Sequence, residues 1–413
     1  MKKILLLLPF FFSYTVQSQN SNLAVYEEEV MQLTVDVVYL ASDYLEGRGT
    51  GTVGEKRAAD YIIKRFKEIG VTPKGENGTW FQEFPWHEIT NPHSPEKGKI
   101  EGKGKNVIGY IDNGAKTTVV IGGHYDHLGM GGNGSLYDGE PKIHNGADDN
   151  ASGIAAMLRI AKHLKDSKLK SNNYLFIAFS GEEKGLFGSK YFASNPTIPI
   201  EEINYMFNMD MVGMLNMTRV LAVQGTGTSP MWKKILEGKN KQALEIKGTE
   251  SGVGPSDHTS FYLKDIPVLH FFSGQHSHYH KPTDDASRLN YDGIFVISEF
   301  MLSLIEKTDG QRLEFTKTKD SQERKAAAFK VTLGVMPDYV YNGKGMRVDS
   351  VIKGRVGDKG GLKDGDVIMK IGDVEVTDIY KYMEGLASFK KGDTATVEVL
   401  RKKKKKKLKV KFE

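Results

Sequence analysis

The chain of 413 residues contains no cysteine. Disulfides and lipidated cysteines are therefore excluded, and any metal site must be built from nitrogen and oxygen donors. Stability must come from a hydrophobic core, which this length permits. Long apolar runs are equally scarce. Beyond the first twenty residues nothing approaches the ~20 apolar residues of a membrane span, so no transmembrane segment is expected in the mature protein. Interleaved basic and aromatic residues, the mark of a nucleic-acid surface, are missing too. The net charge of +5 is a local matter: residues 321–413 hold 22 basic and 13 acidic side chains, and the rest of the chain is net acidic.

What is present begins with a segment for export. Lys2 and Lys3 precede the apolar run 4–12, and Val16-Gln17-Ser18 offers a small-residue cleavage site. Residues 1–18 read as a secretory signal peptide, which places the mature protein in the periplasm or outside the cell. Three zones follow. Residues 24–308 alternate strand-like and helix-like runs, with helices expected at 54–69, 151–164 and 291–307. Such alternation implies an α/β fold with a mixed, mostly parallel sheet covered by helices on both faces. Residues 309–326 are polar and read as a linker. Residues 327–413 form a small glycine-rich, β-rich unit with one helix near 379–388. It closes in a hairpin whose limbs alternate Val397 and Val399 with Leu408, Val410 and Phe412. The six lysines 402–407 sit around its tip. Such a cluster reads first as a solvated turn that discourages edge pairing, and second as attraction to an anionic surface.

Five segments carry the chemistry: His124-Tyr125-Asp126, Asp148-Asp149, Glu182-Glu183, Asp210 and His280. Four follow closely on short apolar runs at 117–121, 174–179, 205–207 and 267–272. The Asp pair lies instead in a glycine-rich loop opening a helix. Open α/β sheets bind ligands at the carboxyl ends of their strands, so these residues are expected on one rim. A rim of carboxylates and imidazoles suits a pair of divalent metals, and hydrolysis becomes the leading chemistry. A bridging carboxylate belongs on a rigid turn, as Asp149 is. His124 and Asp210 can then serve one metal, Glu183 and His280 the other. Neighbouring side chains diverge, so Glu182 can face the attacking water as general base while Glu183 binds metal. Asp126, two residues beyond His124, can accept the second imidazole N–H and fix the ring.

Two other patterns lead nowhere. Gly49-Thr50-Gly51-Thr52-Val53-Gly54 matches a dinucleotide-binding G-x-G-x-x-G, but no buried strand precedes it. Gly153 and the Asp148–Asn150 run lack the ligand spacing and closing Glu of a calcium loop.

His124-Tyr125-Asp126, Gly146-Ala147-Asp148-Asp149-Asn150-Ala151-Ser152-Gly153, Ser180-Gly181-Glu182-Glu183, Asn208-Met209-Asp210-Met211 and Tyr279-His280 together resemble the M28 family of zinc aminopeptidases. The turn Leu45-Glu46-Gly47-Arg48-Gly49-Thr50-Gly51 is also similar, and the resemblance runs over about residues 35–305. It implies two zinc ions, for which manganese or cobalt could substitute, and removal of N-terminal residues from peptides. By position it makes Asp149 the bridging ligand, Glu182 the base, and His124, Glu183, Asp210 and His280 the remaining ligands. One departure is visible. A Thr directly after the last His is common in the family, whereas here Lys281-Pro282-Thr283-Asp284 follows His280. His276 and His278 are therefore rival ligands, and Asp257-His258 is a candidate for the pocket wall.

The last zone resembles a PDZ domain of the bacterial protease type through Thr332-Leu333-Gly334-Val335, Val348-Asp349-Ser350-Val351 and Gly361-Leu362-Lys363-Asp364-Gly365-Asp366-Val367-Ile368. That resemblance implies a groove taking a peptide or its carboxylate by strand addition, or a filled groove used for packing. The expectation is an exported di-zinc aminopeptidase acting on peptides. The alternatives are a carboxypeptidase, dipeptidase or glutaminyl cyclase on the same scaffold, or a non-catalytic ectodomain that binds partners.

Overall fold

A computed structural model describes residues 10–89, 99–318 and 331–412, apart from 338–340, 342, 352 and 378. The positively charged start of the expected signal segment lies outside these residues, as do residues 319–326 of the expected linker.

Among the described residues the larger unit is built on nine strands: β1 (Thr72–Pro73), β2 (Phe81–Ile89), β3 (Lys99–Ile111), β4 (Thr118–His124), β5 (Asn173–Phe179), β6 (Ile203–Met209), β7 (Val220–Gln224), β8 (Glu245–Thr249) and β9 (Val268–Phe272). Their order is β1-β3-β5-β4-β6-β9-β7-β8, with β2 on β3. The central strands β5, β4, β6 and β9 run parallel, and antiparallel pairs flank them through β3 and β7. Every residue of those four strands is buried. Burial on both faces is why they read in sequence as unbroken apolar runs rather than alternating ones.

Helices cover both faces. On one side lie α1 (Phe10–Leu40), α2 (Val53–Ile69), α3 (Gly153–Asp166), α5 (Pro230–Leu236) and α7 (Tyr291–Thr308), sharing a core with Val119, Ile121, Phe176 and Phe207. On the other, α4 (Phe187–Ser194) and α6 (His258–Tyr262) pack toward Val120, Leu175 and Met206. Helix α2 shows the local logic. Thr52 caps it by accepting from the Glu55 N–H, and Gly70 ends it in the left-handed region at φ 82°. Its buried Ala59, Ile62, Ile63 and Phe66 fall at helical spacing toward the sheet. Full burial of a side chain such as Phe66 contributes about 1.5–3 kcal/mol.

The glycine motif before α2 is a bracing turn. A Cβ at Gly54 would lie 1.9 Å from the Leu45 carbonyl oxygen, so only glycine allows the helix to start against that turn. Within it Arg48 is wholly buried, and its guanidinium donates to the carbonyls of Leu40, Tyr125, Asn145 and Gly146. The turn is thereby tied to the loops carrying Asp126 and Asp149.

Two boundaries differ from expectation. Helix α3 begins at Gly153, not 151, because residues 147–152 form a wider turn. The Asn150 side chain accepts the Gly153 N–H and ends that turn. Residues 309–318, read as linker, are bound to the larger unit. Leu313 is buried and its N–H donates to Asn204; the Thr316 N–H donates to the Thr228 carbonyl and the Thr318 N–H to the Tyr262 hydroxyl. Two apolar residues, Leu313 and Phe315, anchor an otherwise polar strap.

The C-terminal unit has its own core, including Leu333, Val348, Ile368, Val397, Val399 and Val410. Its strands are β10 (Val335–Pro337), β11 (Met346–Val351), β12 (Val367–Ile371), β13 (Val374–Glu375), β14 (Thr394–Arg401) and β15 (Lys404–Lys411), with helices α8 (Val356–Lys359) and α9 (Ile379–Ala387). Their order is β10-β11-β12-β14-β15, with β13 on β12, so β10 lies at a sheet edge among the described residues. The expected hairpin is β14–β15. Arg401 pairs with Lys404, leaving Lys402 and Lys403 at its tip with φ of 48° and 65°. No described helix is long and apolar enough to cross a membrane.

Candidate metal centre

The carboxyl ends of β4, β5, β6 and β9 share one rim, and the chain fills β5 and β6 on opposite sides of β4. Such a switch of direction opens a crevice beyond the strand ends. His124 closes β4, Glu182 and Glu183 follow β5, Asp210 follows β6, and His280 comes from the loop after β9. Asp149 reaches the same point from the turn before α3.

The two histidines are placed alike. His124 Nδ1 meets the Asp126 main-chain carbonyl at 3.1 Å, and His280 Nδ1 meets the Gly134 carbonyl at 2.7 Å. With Nδ1–H donating, each ring aims its Nε2 lone pair inward. His124 Nε2 lies 3.2 Å from Asp149 Oδ1 and 3.3 Å from Asp210 Oδ1. His280 Nε2 lies 3.1 Å from Asp149 Oδ2 and 3.3 Å from Glu183 Oε2. One carboxylate thus serves both rings through opposite oxygens.

With Nε2 unprotonated these contacts bring lone pairs together, so the cluster demands positive charge between the rings and the carboxylates, as protons or as metal ions. The fully buried Arg48 spends its donors on main-chain carbonyls and does not supply it. Burial alone would raise Asp149, but the His124 and His280 rings outweigh it and hold the carboxyl well below its usual range. Glu183 is held down in the same way, by His280 and His127 against burial. Burial would lower His124 and His280, yet the surrounding carboxylates raise both rings well above the ordinary imidazole range. An all-N/O set of two imidazoles and three carboxylates, with one shared, suits a pair of zinc-like divalent ions.

Glu182 differs from its neighbour. Burial above all, then the Asp210 and Glu183 carboxylates, push its carboxyl well up despite the opposing His124. It lines a small cavity with His124, Asp149, Asp210 and His280, where a poised carboxylate can accept and return a proton.

Asp126 corrects the expectation. Its main-chain carbonyl, not its carboxylate, takes the His124 N–H; the carboxylate is 3.8 Å from that ring. The carboxylate accepts instead from the Thr50 hydroxyl at 2.7 Å and the Glu182 N–H at 3.2 Å. Asp126 therefore positions Glu182 more directly than it positions His124. The rivals to His280 fall elsewhere: His276 Nε2 lies 3.2 Å from Asp148, and His278 meets the Thr283 hydroxyl. Asp257 and His258 are wholly buried and do not line the cavity, although Pro255 before them does.

Two residues escaped the sequence reading. His127 Nδ1 lies 2.7 Å from Glu183 Oε1 and fixes that carboxylate's second oxygen. Its place three residues after His124 was the available signal. Asp284 accepts the N–H groups of Asp148 and Asp149 and so holds the turn presenting Asp149. Its signal was an Asp four residues beyond His280.

Residues 106–305 match the model of peptidase family M28, and residues 302–412 match that of the PDZ domain. The uncharacterized protein YfbL of Escherichia coli is 24% identical over 60% of this chain and 79% of its own length. Aminopeptidase YwaD of Bacillus subtilis is 30% identical over 37% of this chain, and the match spans only 35% of that relative. In structure, a zinc aminopeptidase from Bacillus subtilis superposes with a TM-score of 0.54 at 15% identity, over 69% of this chain and 95% of that one.

Proposed function

Because this chain belongs to peptidase family M28 and ends in a PDZ domain, we propose that it is an exported di-zinc aminopeptidase that releases N-terminal residues from peptides. The observation that carries this reading is Asp149, whose two oxygens each face a histidine already oriented by a main-chain carbonyl. His124, Asp149 and Asp210 would hold one zinc, and Glu183, Asp149 and His280 the other. Bound zinc supplies Lewis acidity and lowers the pKa of water.

The chain's own residues do the rest. Glu182 accepts the proton of the attacking water and delivers it to the leaving amine. Asp126, by accepting the Glu182 N–H, fixes the backbone from which that carboxylate acts. His127 and Asp284 hold Glu183 and Asp149 in place. The cavity beside Glu182 can receive a substrate side chain next to the metal ligands. The N-terminal charge and apolar run support export to the periplasm or medium, and the edge strand β10 supports peptide binding by strand addition at the C-terminal unit.

Mass spectrometry of a peptide library after incubation with zinc-loaded protein tests the activity. Peptides with free amino termini should shorten stepwise from that end, and acetylated ones should persist. Release from the carboxyl end, loss of ammonia without shortening, or no turnover would each overturn the reading in favour of the carboxypeptidase, cyclase or non-catalytic alternative.

A further inference from the structure

The wall of the cavity beyond the metal ligands is more polar than a pocket for an aliphatic residue requires. Met211, Phe272, Pro255 and the Tyr279 ring supply apolar surface, but Gln224, His270 and Gln275 also line it. His270 is set as a donor. The Asn208 side-chain N–H donates to its Nδ1 at 3.0 Å, which leaves Nε2 to carry the proton. His258 stacks on it with ring centroids 4.4 Å apart and 8° between planes, which helps to hold the ring in place. Burial keeps the imidazole neutral, pulled down to about 4. Gln224 ends β7, beside β9 and opposite His270 in the register, and adds an amide with both a donor and an acceptor. Gln275 adds a second amide, whose oxygen is buried without a hydrogen-bond partner.

Charge narrows the choice of ligand. Among the described residues the lining contains no lysine or arginine to receive an acidic side chain. Its carboxylates are Asp149, Asp210 and Glu182, all engaged in the metal centre or the chemistry, so none is left for a cationic side chain. A leucine would bury against two amides and an imidazole N–H without satisfying them, and unpaired buried polar groups are costly.

Resting on the aminopeptidase reading above, we propose that this cavity is the subsite for the N-terminal side chain and that it selects a carboxamide, glutamine or asparagine, through His270, Gln224 and Gln275. The ligand's carbonyl accepts from His270 Nε2–H, and its NH2 donates to the glutamine side-chain oxygens. A hydrophobic stem of one or two methylenes lies against Met211 and Phe272.

Calorimetry on the zinc-loaded full chain reads the subsite without turnover. Free L-glutamine should bind at least tenfold more tightly than free L-leucine. Gln224→Leu and Gln275→Leu, both at the half-buried edge of the pocket, should each shrink that ratio, and His270→Phe should reverse it. If His270→Phe fails to fold, the two glutamine variants still decide. Equal or tighter leucine binding in the wild type would overturn the proposal, as would a ratio unmoved by the substitutions. Absence of peptide shortening in a parallel assay would instead count against the aminopeptidase reading, while the binding ratio still judges the subsite.

Discussion

Asp284 accepts the main-chain N–H of Asp149 at 3.0 Å, so the residue that faces both histidines is itself hung from a buried carboxylate. The same carboxylate takes the Asp148 N–H. Burial, and then the nearby Asp148, raise Asp284 to about 6. Its contribution to the centre is geometric: it fixes the turn, and the turn aims Asp149. Asp284→Ala should weaken zinc affinity by about 10–100-fold, the range for losing an outer partner of a ligand. Competition with a chelator of known affinity measures this. Unchanged affinity would show that Arg48 and the main chain hold the turn without Asp284.

Asp149→Ala removes the one carboxylate among the described residues that reaches both His124 and His280. Elemental analysis of the wild type should find close to two zinc ions per chain, and the variant should lose both, along with activity. A variant that keeps one tightly bound ion would show that the shared carboxylate is not essential to the second site.

Glu182→Gln keeps the size of the side chain and removes its proton acceptor. Its kcat should fall on the order of 10²–10⁴-fold with zinc content unchanged. Loss of zinc with turnover per bound ion preserved would exchange the roles assigned to Glu182 and Glu183.

Much of this centre was legible because chemistry and topology agree. His124 ends a strand buried on both faces, Asp210 and Glu183 follow closely on two others, and such strands announce themselves as apolar runs. What was not legible is what depends on side-chain direction. Spacing placed Asp126 near His124, but whether its carboxylate or its carbonyl meets the ring is decided by Thr50 and Glu182, distant in sequence. His127 was missed because its partner Glu183 lies 56 residues away. The strap 309–318 was missed because two apolar residues in ten leave no period to read, and its hydrogen bonds go to Asn204, Thr228 and Tyr262.

Glu55 gives a pH-dependent prediction apart from the metals. It is buried on α2, accepts the Gly51 N–H at 2.6 Å and meets the Ser180 hydroxyl. Burial, with Asp126 next, raises its carboxyl from 4.5 to about 8. A raised carboxyl favours the protonated folded state, so the unfolded chain releases its proton first as pH rises. Stability from this group is therefore lost progressively between about pH 4.5 and 8 and then levels off. Glu55→Gln imitates the neutral form, and the Ser180 hydroxyl can turn to accept from the new amide. Its melting temperature relative to wild type should climb from pH 5 to pH 8 by differential scanning calorimetry. A constant difference across that range would show that Glu55 is ionised in the fold.

The strap sets where the larger unit ends. A chain cut after Lys307 loses Leu313, whose burial contributes about 1.5–3 kcal/mol, and the hydrogen bonds to Asn204, Thr228 and Tyr262, about 0.5–1.5 kcal/mol each. It also leaves Asn204 Oδ1, on β6, and the Thr228 carbonyl, just before α5, without those partners. A chain cut after Thr318 keeps all of them and still lacks the PDZ domain. Every residue assigned to the metal centre precedes 285, so the longer truncation should cleave a small amino-acid anilide at near-normal kcat/KM and melt several degrees above the shorter one. Peptides long enough to reach both units should lose affinity in either truncation, since a second point of attachment is gone. Comparing anilide and long peptide on the three chains, at two salt concentrations, separates these effects. A lysine contribution from the β14–β15 hairpin would fade at high salt, whereas strand addition along β10 would persist. Loss of anilide hydrolysis in a folded, zinc-loaded chain ending at Thr318 would show that the PDZ domain shapes the metal centre itself.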